Sequence, residues 1–102
     1  MGFVRVADAT EIADGHGALF EADGRAVAVF NAGAGRFYAT SPLCPHQDGP
    51  LAEGWIESDV IVCPWHGWDF ELESGRCRVD ARLAIAVYDV RVREGAVEVN
   101  LP

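Results

Sequence analysis

Apolar positions along this chain fall into short runs separated by turn formers, and none recurs at the spacing of a long helix. β-Branched and aromatic residues concentrate over residues 3–6, 25–30, 36–39, 60–62, 68–72, 86–92 and 96–101, the pattern of half-buried strands. Asp23-Gly24 and Glu94-Gly95 sit between such runs. A glycine there makes positive φ cheap, so hairpin turns are expected over 21–25 and 93–95. Short strands joined by tight turns predict an all-β fold, a small antiparallel sandwich or barrel. One helical turn is expected, over residues 8–13. No repeat, low-complexity tract or Pro/Gly/Ser-rich linker divides the sequence, so residues 1–102 read as a single domain.

Two segments break the strand pattern. Residues 41–53 open with Ser-Pro-Leu-Cys-Pro-His, and residues 63–67 read Cys-Pro-Trp-His-Gly. Proline after each cysteine removes an amide donor and fixes φ, while Gly49, Gly54 and Gly67 let backbone come close to a bound group. Both segments read as loops shaped around something. Trp55 is expected on the strand leaving the first loop.

Composition narrows the possible roles. Half of the 102 residues are apolar, enough for one modest core. No stretch approaches the roughly 20 apolar residues of a membrane span, and the N-terminus lacks a basic region followed by an apolar run. The chain as given therefore reads as cytoplasmic. Net charge is −8, from sixteen acids against eight arginines and no lysine, which argues against nucleic acid and anionic membrane as partners. Between residues 37 and 74 lie seven acids (Asp48, Glu53, Glu57, Asp59, Asp69, Glu71, Glu73) and no arginine. That stretch is either a solubilising surface or a docking face that steers a basic partner. Three cysteines are too few, and odd in number, for a disulfide framework.

The cysteines find their use in a constellation. Cys44-x-His46 is followed by Cys63-x-x-His66, so each loop offers one thiolate and one imidazole. In a [2Fe–2S] cluster of the mixed-ligand kind, two cysteines hold one iron and two histidines the other. Two loops giving one of each could clamp it. The formal charge of that assembly is zero when oxidised and one negative when reduced, so an added electron is easier to accept than with four thiolates. A tetrahedral zinc site would draw on the same four side chains.

The motifs Cys44-Pro-His46, Gly49-Pro-Leu51, Glu53-Gly54 and Cys63-Pro-Trp-His66-Gly-Trp-Asp-Phe70 resemble the two cluster-binding boxes of Rieske ferredoxins. Those proteins serve bacterial ring-hydroxylating dioxygenases, and the small subunit of assimilatory nitrite reductase is similar. The resemblance implies a Rieske fold: an antiparallel β-sandwich base of three sheets with two cluster-binding loops at one tip. It also implies one Rieske-type [2Fe–2S] cluster on Cys44, His46, Cys63 and His66. The chain would be a soluble one-electron carrier, not itself an enzyme, taking electrons from a flavin-dependent NAD(P)H reductase and passing them to a terminal oxygenase. The alternative is an electron-relay subunit of a nitrite reductase-like complex. A small acidic carrier is most simply a monomer.

Two departures stand out. Asp48 occupies a position where the family usually has glycine, and the segment Gly75-Arg-Cys-Arg-Val-Asp-Ala lacks the expected proline. The Rieske subunits of quinol-oxidising complexes carry an extra cysteine in each box and hydroxyl side chains aimed at the sulfurs. Gly49 and Trp65 stand at the cysteine positions here, and Trp68 and Phe70 at the hydroxyl ones. Fewer donors to sulfur imply a low potential for the class. A Rieske oxygenase needs a further mononuclear iron, and His16, the one histidine outside the boxes, cannot build it alone. His16 is expected in a loop, Cys77 as a small buried hydrophobe, and Trp65 and Trp68 packed around the cluster loops.

Overall fold

The computed structural model describes residues 2–45, 48–65 and 67–101. Among the described residues nine strands form: β1 (Gly2–Asp8), β2 (His16–Ala22), β3 (Arg25–Asn31), β4 (Phe37–Thr40), β5 (Trp55–Glu57), β6 (Val60–Val62), β7 (Asp69–Glu71), β8 (Val87–Arg93) and β9 (Ala96–Leu101). All pair antiparallel. One sheet has six strands in the order β1-β9-β8-β4-β3-β2, and a smaller one runs β5-β6-β7. Within the larger sheet, β4 meets β8 through the pairs Ala39 with Tyr88 and Thr40 with Val87. That narrow seam divides it into two three-stranded halves, so the three sheets implied by the resemblance are three groups of strands in two sheets.

The turns follow from backbone chemistry. Asp23 and Gly24 have φ of 52° and 72°, and Glu94 and Gly95 have 53° and 79°. Two successive positive φ values match the right-handed twist of paired strands, and both expected hairpins form there. A third such turn joins β5 to β6 with Ser58 and Asp59 at 50° and 65°, in the absence of glycine. Asp59 is held in that turn by Arg36, whose Nη1 donates to both carboxylate oxygens at 2.5 and 2.6 Å. Arg36 also donates to the carbonyls of Ala32 and Gly33. The pair thus ties the small sheet to the β3–β4 connection. The expected helical turn is a 3-10 helix at Ala9–Glu11, begun by a capping box between Asp8 and Glu11.

β3 decides where the core sits. Its residues from Val27 to Phe30 are fully buried, and because side chains alternate along a strand, it faces two apolar clusters. Val27 and Val29 join Ile12, Ala22, Ala39, Val97, Val99 and Leu101. Ala28 and Phe30 join Cys44, Leu51, Ile61, Cys63, Phe70, Leu72, Cys77 and Ile85. The first cluster is the base and the second lies under the loops. Phe30 fits because Gly17 has no side chain; an added Cβ there would come within 2.5 Å of the ring.

Strand β2 is not among the runs expected from apolar patterning, because His16-Gly17-Ala18 carries little β signal; its pairing with β3 supplies what the local sequence does not. His16, expected in a loop, is the first residue of that strand, with Nδ1 3.0 Å from the Asp14 carbonyl. Cys77 is buried as expected. Beyond it the chain turns through Asp80, whose carboxylate accepts from Arg82 Nε and Nη2 and from the Arg82 amide. Among the described residues no helix is long and apolar enough to cross a membrane.

Two outcomes test this account. An alanine Cβ at position 54 would lie 2.0 Å from the Val62 carbonyl oxygen; Gly54→Ala should therefore cost about 3 kcal/mol in thermal or denaturant unfolding, the scale of an overpacked site. The Arg82 side chain, then its amide, lowers the Asp80 carboxyl from 3.8 to about 2. Its contribution to stability is present above the ordinary carboxylate pKa and is lost as pH falls through about 2. Carboxyl-carbon NMR should show a midpoint near the lowered value, moving back up in Arg82→Ala.

Candidate functional site

The two loops expected from the prolines are both present, and each is closed by its own backbone. The first lies between β4 and β5. Leu43 and Pro50 form an antiparallel bridge, the Cys44 amide donates to the Gly49 carbonyl at 2.8 Å, and the Asp48 amide donates to the Cys44 carbonyl at 2.7 Å. A 3-10 helix at Leu51–Glu53 then anchors the loop through fully buried Leu51. The second loop connects β6 to β7 and is pinned at its neck, where the Cys63 amide donates to the Trp68 carbonyl at 2.7 Å. Gly67 takes a φ of 72°, the left-handed conformation a loop this tight requires.

Asp48, one of the departures from the family pattern, has a φ of 58°. An acidic residue occupies that region at less cost than most non-glycine residues. The loop therefore makes a left-handed turn where a glycine would make it.

Cys44 and Cys63 are each fully buried and packed into the same apolar cluster. They arrive there from different loops, 19 positions apart in sequence. Gly49 of the first loop faces the second: an ideal Cβ built on it would be 2.6 Å from Cys63 Sγ. The Trp65 amide donates to the same sulfur at 3.4 Å. Such a donor favours a thiolate, whereas a water-poor surround disfavours its charge unless a metal takes it up. Trp68 packs against the cluster beneath the loops, and Phe70 is fully buried within it. Neither offers a hydroxyl to sulfur. Trp65 and Leu43 remain about half exposed at the loop surfaces. His46 and His66, the other two expected ligands, lie outside the described residues.

Half of the expected donor set is thus seen, and it suits an iron–sulfur cluster: two buried thiols on two facing loops, with a side-chain-free approach at Gly49. Cys77 is also buried in this apolar cluster, where the Asp80 amide donates to its sulfur at 3.4 Å. Sequence reasoning singled out Gly49 for its freedom of approach but did not connect it to Cys63. Their contact crosses between loops and leaves no trace in local spacing.

Acidic charge surrounds the site. Asp48, Glu53 and Glu57 are exposed along the first loop and β5. Asp59 is paired with Arg36, and Asp69 lies 3.9 Å from Arg78.

Comparison with known proteins bears directly on this geometry. A family model described as the Rieske [2Fe-2S] domain matches residues 2–89. The 3-phenylpropionate/cinnamic acid dioxygenase ferredoxin subunit of Shigella flexneri is 36% identical over 78 residues, 74% of this chain and 73% of that protein. The ferredoxin of carbazole 1,9a-dioxygenase from Nocardioides aromaticivorans is 30% identical, covers 100% of both chains and superposes with a TM-score of 0.89. A chain from the solved complex of reduced oxygenase and oxidized ferredoxin in carbazole 1,9a-dioxygenase is 32% identical, with 95% and 91% coverage and a TM-score of 0.83. Part of a larger enzyme matches too: this chain spans 23% of the length of a 4beta-methylsterol monooxygenase from Methylococcus capsulatus, which is 34% identical over 85 residues. A structure assigned as a nitrite reductase small subunit from Mycobacterium tuberculosis has a TM-score of 0.91 at 23% identity, over 99% and 96% of the two chains, and shares the fold alone. With two buried cysteines on facing loops and a family match over most of its length, this chain belongs to the Rieske [2Fe-2S] domain family, whose cofactor is a Rieske-type [2Fe–2S] cluster.

Proposed function

We propose that this chain is a single Rieske domain over residues 1–102 that carries one electron at a time, with Cys44, Cys63, His46 and His66 holding the cluster. It takes electrons from a flavin-dependent NAD(P)H reductase and hands them to a terminal oxygenase. The observation that carries this reading is the meeting of Cys44 and Cys63 in one buried cluster from two separately closed loops. Support for the oxygenase comes from relatives that are dioxygenase ferredoxin subunits and from the solved ferredoxin–oxygenase complex. The reading also makes it a monomeric cytoplasmic carrier with no substrate site of its own. The nitrite reductase-like alternative rests on fold similarity and has no feature of this chain in its favour.

The chain's own contribution is electrostatic and steric. When bound, the cluster supplies a one-electron acceptor and donor. The protein buries the two thiolates away from water, gives Cys63 Sγ an amide donor from Trp65, and keeps hydroxyl groups away from positions 68 and 70. Each hydrogen bond to sulfur favours the more negative, reduced state, so residues without hydroxyls at positions 68 and 70 mean a lower potential. The acidic stretch around the first loop favours a partner with a basic docking surface.

Dithionite reduction of the purified protein should give a Rieske-type electron paramagnetic resonance signal with two irons and two acid-labile sulfides per chain. The midpoint potential should fall toward the low end of roughly −150 to +300 mV. His46→Ala or His66→Ala should abolish the signal, and a normal spectrum in either variant would remove those ligands from the assignment. A colourless wild-type protein containing zinc would end the carrier reading altogether. Electron transfer to the oxygenase should slow as salt rises from low ionic strength, and more weakly so in a Glu53→Gln, Glu57→Gln double variant. Salt-independent rates would strip the acidic stretch of a docking role.

A further inference from the structure

Among the described residues four glycines are crowded enough that a Cβ would clash, and three of them meet ordinary packing. Gly17 faces the Phe30 ring, Gly54 the Val62 carbonyl and Gly75 the Ile85 carbonyl. Gly49 differs. Its nearest neighbour is Cys63 Sγ, 2.6 Å from an ideal Cβ, and the next two are Cβ and Cδ2 of Trp65, each at 3.4 Å. All three atoms belong to the opposite loop. At the same time its carbonyl accepts the Cys44 amide at 2.8 Å, so the residue is fixed to one cysteine through its backbone and abuts the sulfur of the other.

The preceding residue explains how Gly49 arrives there. Asp48 donates its amide to the Cys44 carbonyl at 2.7 Å and takes a positive φ, turning the chain back toward the second loop. Gly49 is buried as a result, while the exposed Asp48 faces solvent. On the other side, the Trp65 amide holds Cys63 Sγ at 3.4 Å, and its indole, about half exposed, lies against the bare Cα of Gly49. Cys63 Sγ is therefore confined from both loops.

We propose that Gly49 is a positioning residue that sets where the Cys63 sulfur sits relative to Cys44, with Trp65 closing the contact from the second loop. The inference rests on the reading of Cys44 and Cys63 as cluster ligands. Magnitude supports it: a contact at 2.6 Å falls about 1 Å short of ordinary van der Waals separation. A functional constellation tolerates displacements of only about 0.5 Å. A single methyl group at position 49 would thus push the sulfur beyond the range in which it serves as a ligand. In the cluster-free chain the clash is with one side-chain sulfur rather than with backbone, so folding should register the change less than it does at Gly54.

The test uses the full chain as Gly49→Ala, Trp65→Ala and Trp65→Phe. Readouts are iron and sulfide content, the rate of cluster loss to an iron chelator followed by visible absorbance, the midpoint potential, and thermal unfolding of the cluster-free proteins. Without its cluster Gly49→Ala should unfold closer to wild type than Gly54→Ala does, yet it should retain less iron, lose it at least about tenfold faster and shift in potential, as changes next to metal ligands do. Trp65→Ala should lose its cluster faster as well, with Trp65→Phe restoring most of the wild-type rate. If Gly49→Ala holds two irons and two sulfides at unchanged potential and loss rate, the proposal is overturned. Should Gly49→Ala fail to fold, Trp65→Ala decides, since its side chain is half exposed: a wild-type loss rate there overturns the proposal equally. Absence of iron from the wild-type chain would instead sink the carrier reading on which it rests.

Discussion

Two buried thiols, carried on loops distant in sequence and packed into one apolar cluster, set the terms for this molecule. Burying a polarisable sulfur is cheap, but fixing two of them relative to each other requires that each loop have one conformation. Backbone hydrogen bonds close both loops. Loop one is closed between Cys44 and Gly49 and by the Leu43–Pro50 bridge, and loop two between Cys63 and Trp68. Proline after each cysteine narrows the conformations to be excluded. Loop ordering is then supported from below by Leu51 and Phe70, both fully buried.

The rest of the fold serves as a rigid stand for those loops. Three two-residue turns with paired positive φ keep the strands short and in register, and two of them use glycine to do so. The third, at Ser58-Asp59, has no glycine, and Arg36 takes up the carboxylate of Asp59 from across the fold. The small sheet, whose strand β6 leads into Cys63, is thus oriented by an ion pair as well as by packing. Exposed as it is, that pair contributes direction more than stability.

Much of this was legible in the sequence, for specific reasons. Alternation with turn formers revealed the strands over 60–62 and 96–101 with the bounds observed, and the Asp-Gly and Glu-Gly pairs revealed their hairpins. The loops announced themselves by cysteine, proline and glycine together. What escaped detection depends on partners far along the chain. β2 forms because β3 offers it a ladder and Phe30 needs the space at Gly17. The Ser58-Asp59 turn depends on Arg36, 23 positions upstream of Asp59. The contact of Gly49 with Cys63 exists only once both loops are closed. In each case local residues permit the structure and remote ones select it, which no reading of spacing recovers.

β3 has one further implication. Its alternating residues supply the base core on one face and the floor of the cysteine loops on the other. A slip of one residue in its register would exchange the two sets, sending Phe30 into the base and a valine beneath the cysteines. Foundation and redox centre are therefore inherited together. Sequence drift that would be silent in the base of a two-layered scaffold is felt here at the sulfurs, and the room this protein has to vary lies on its surface and at its rim.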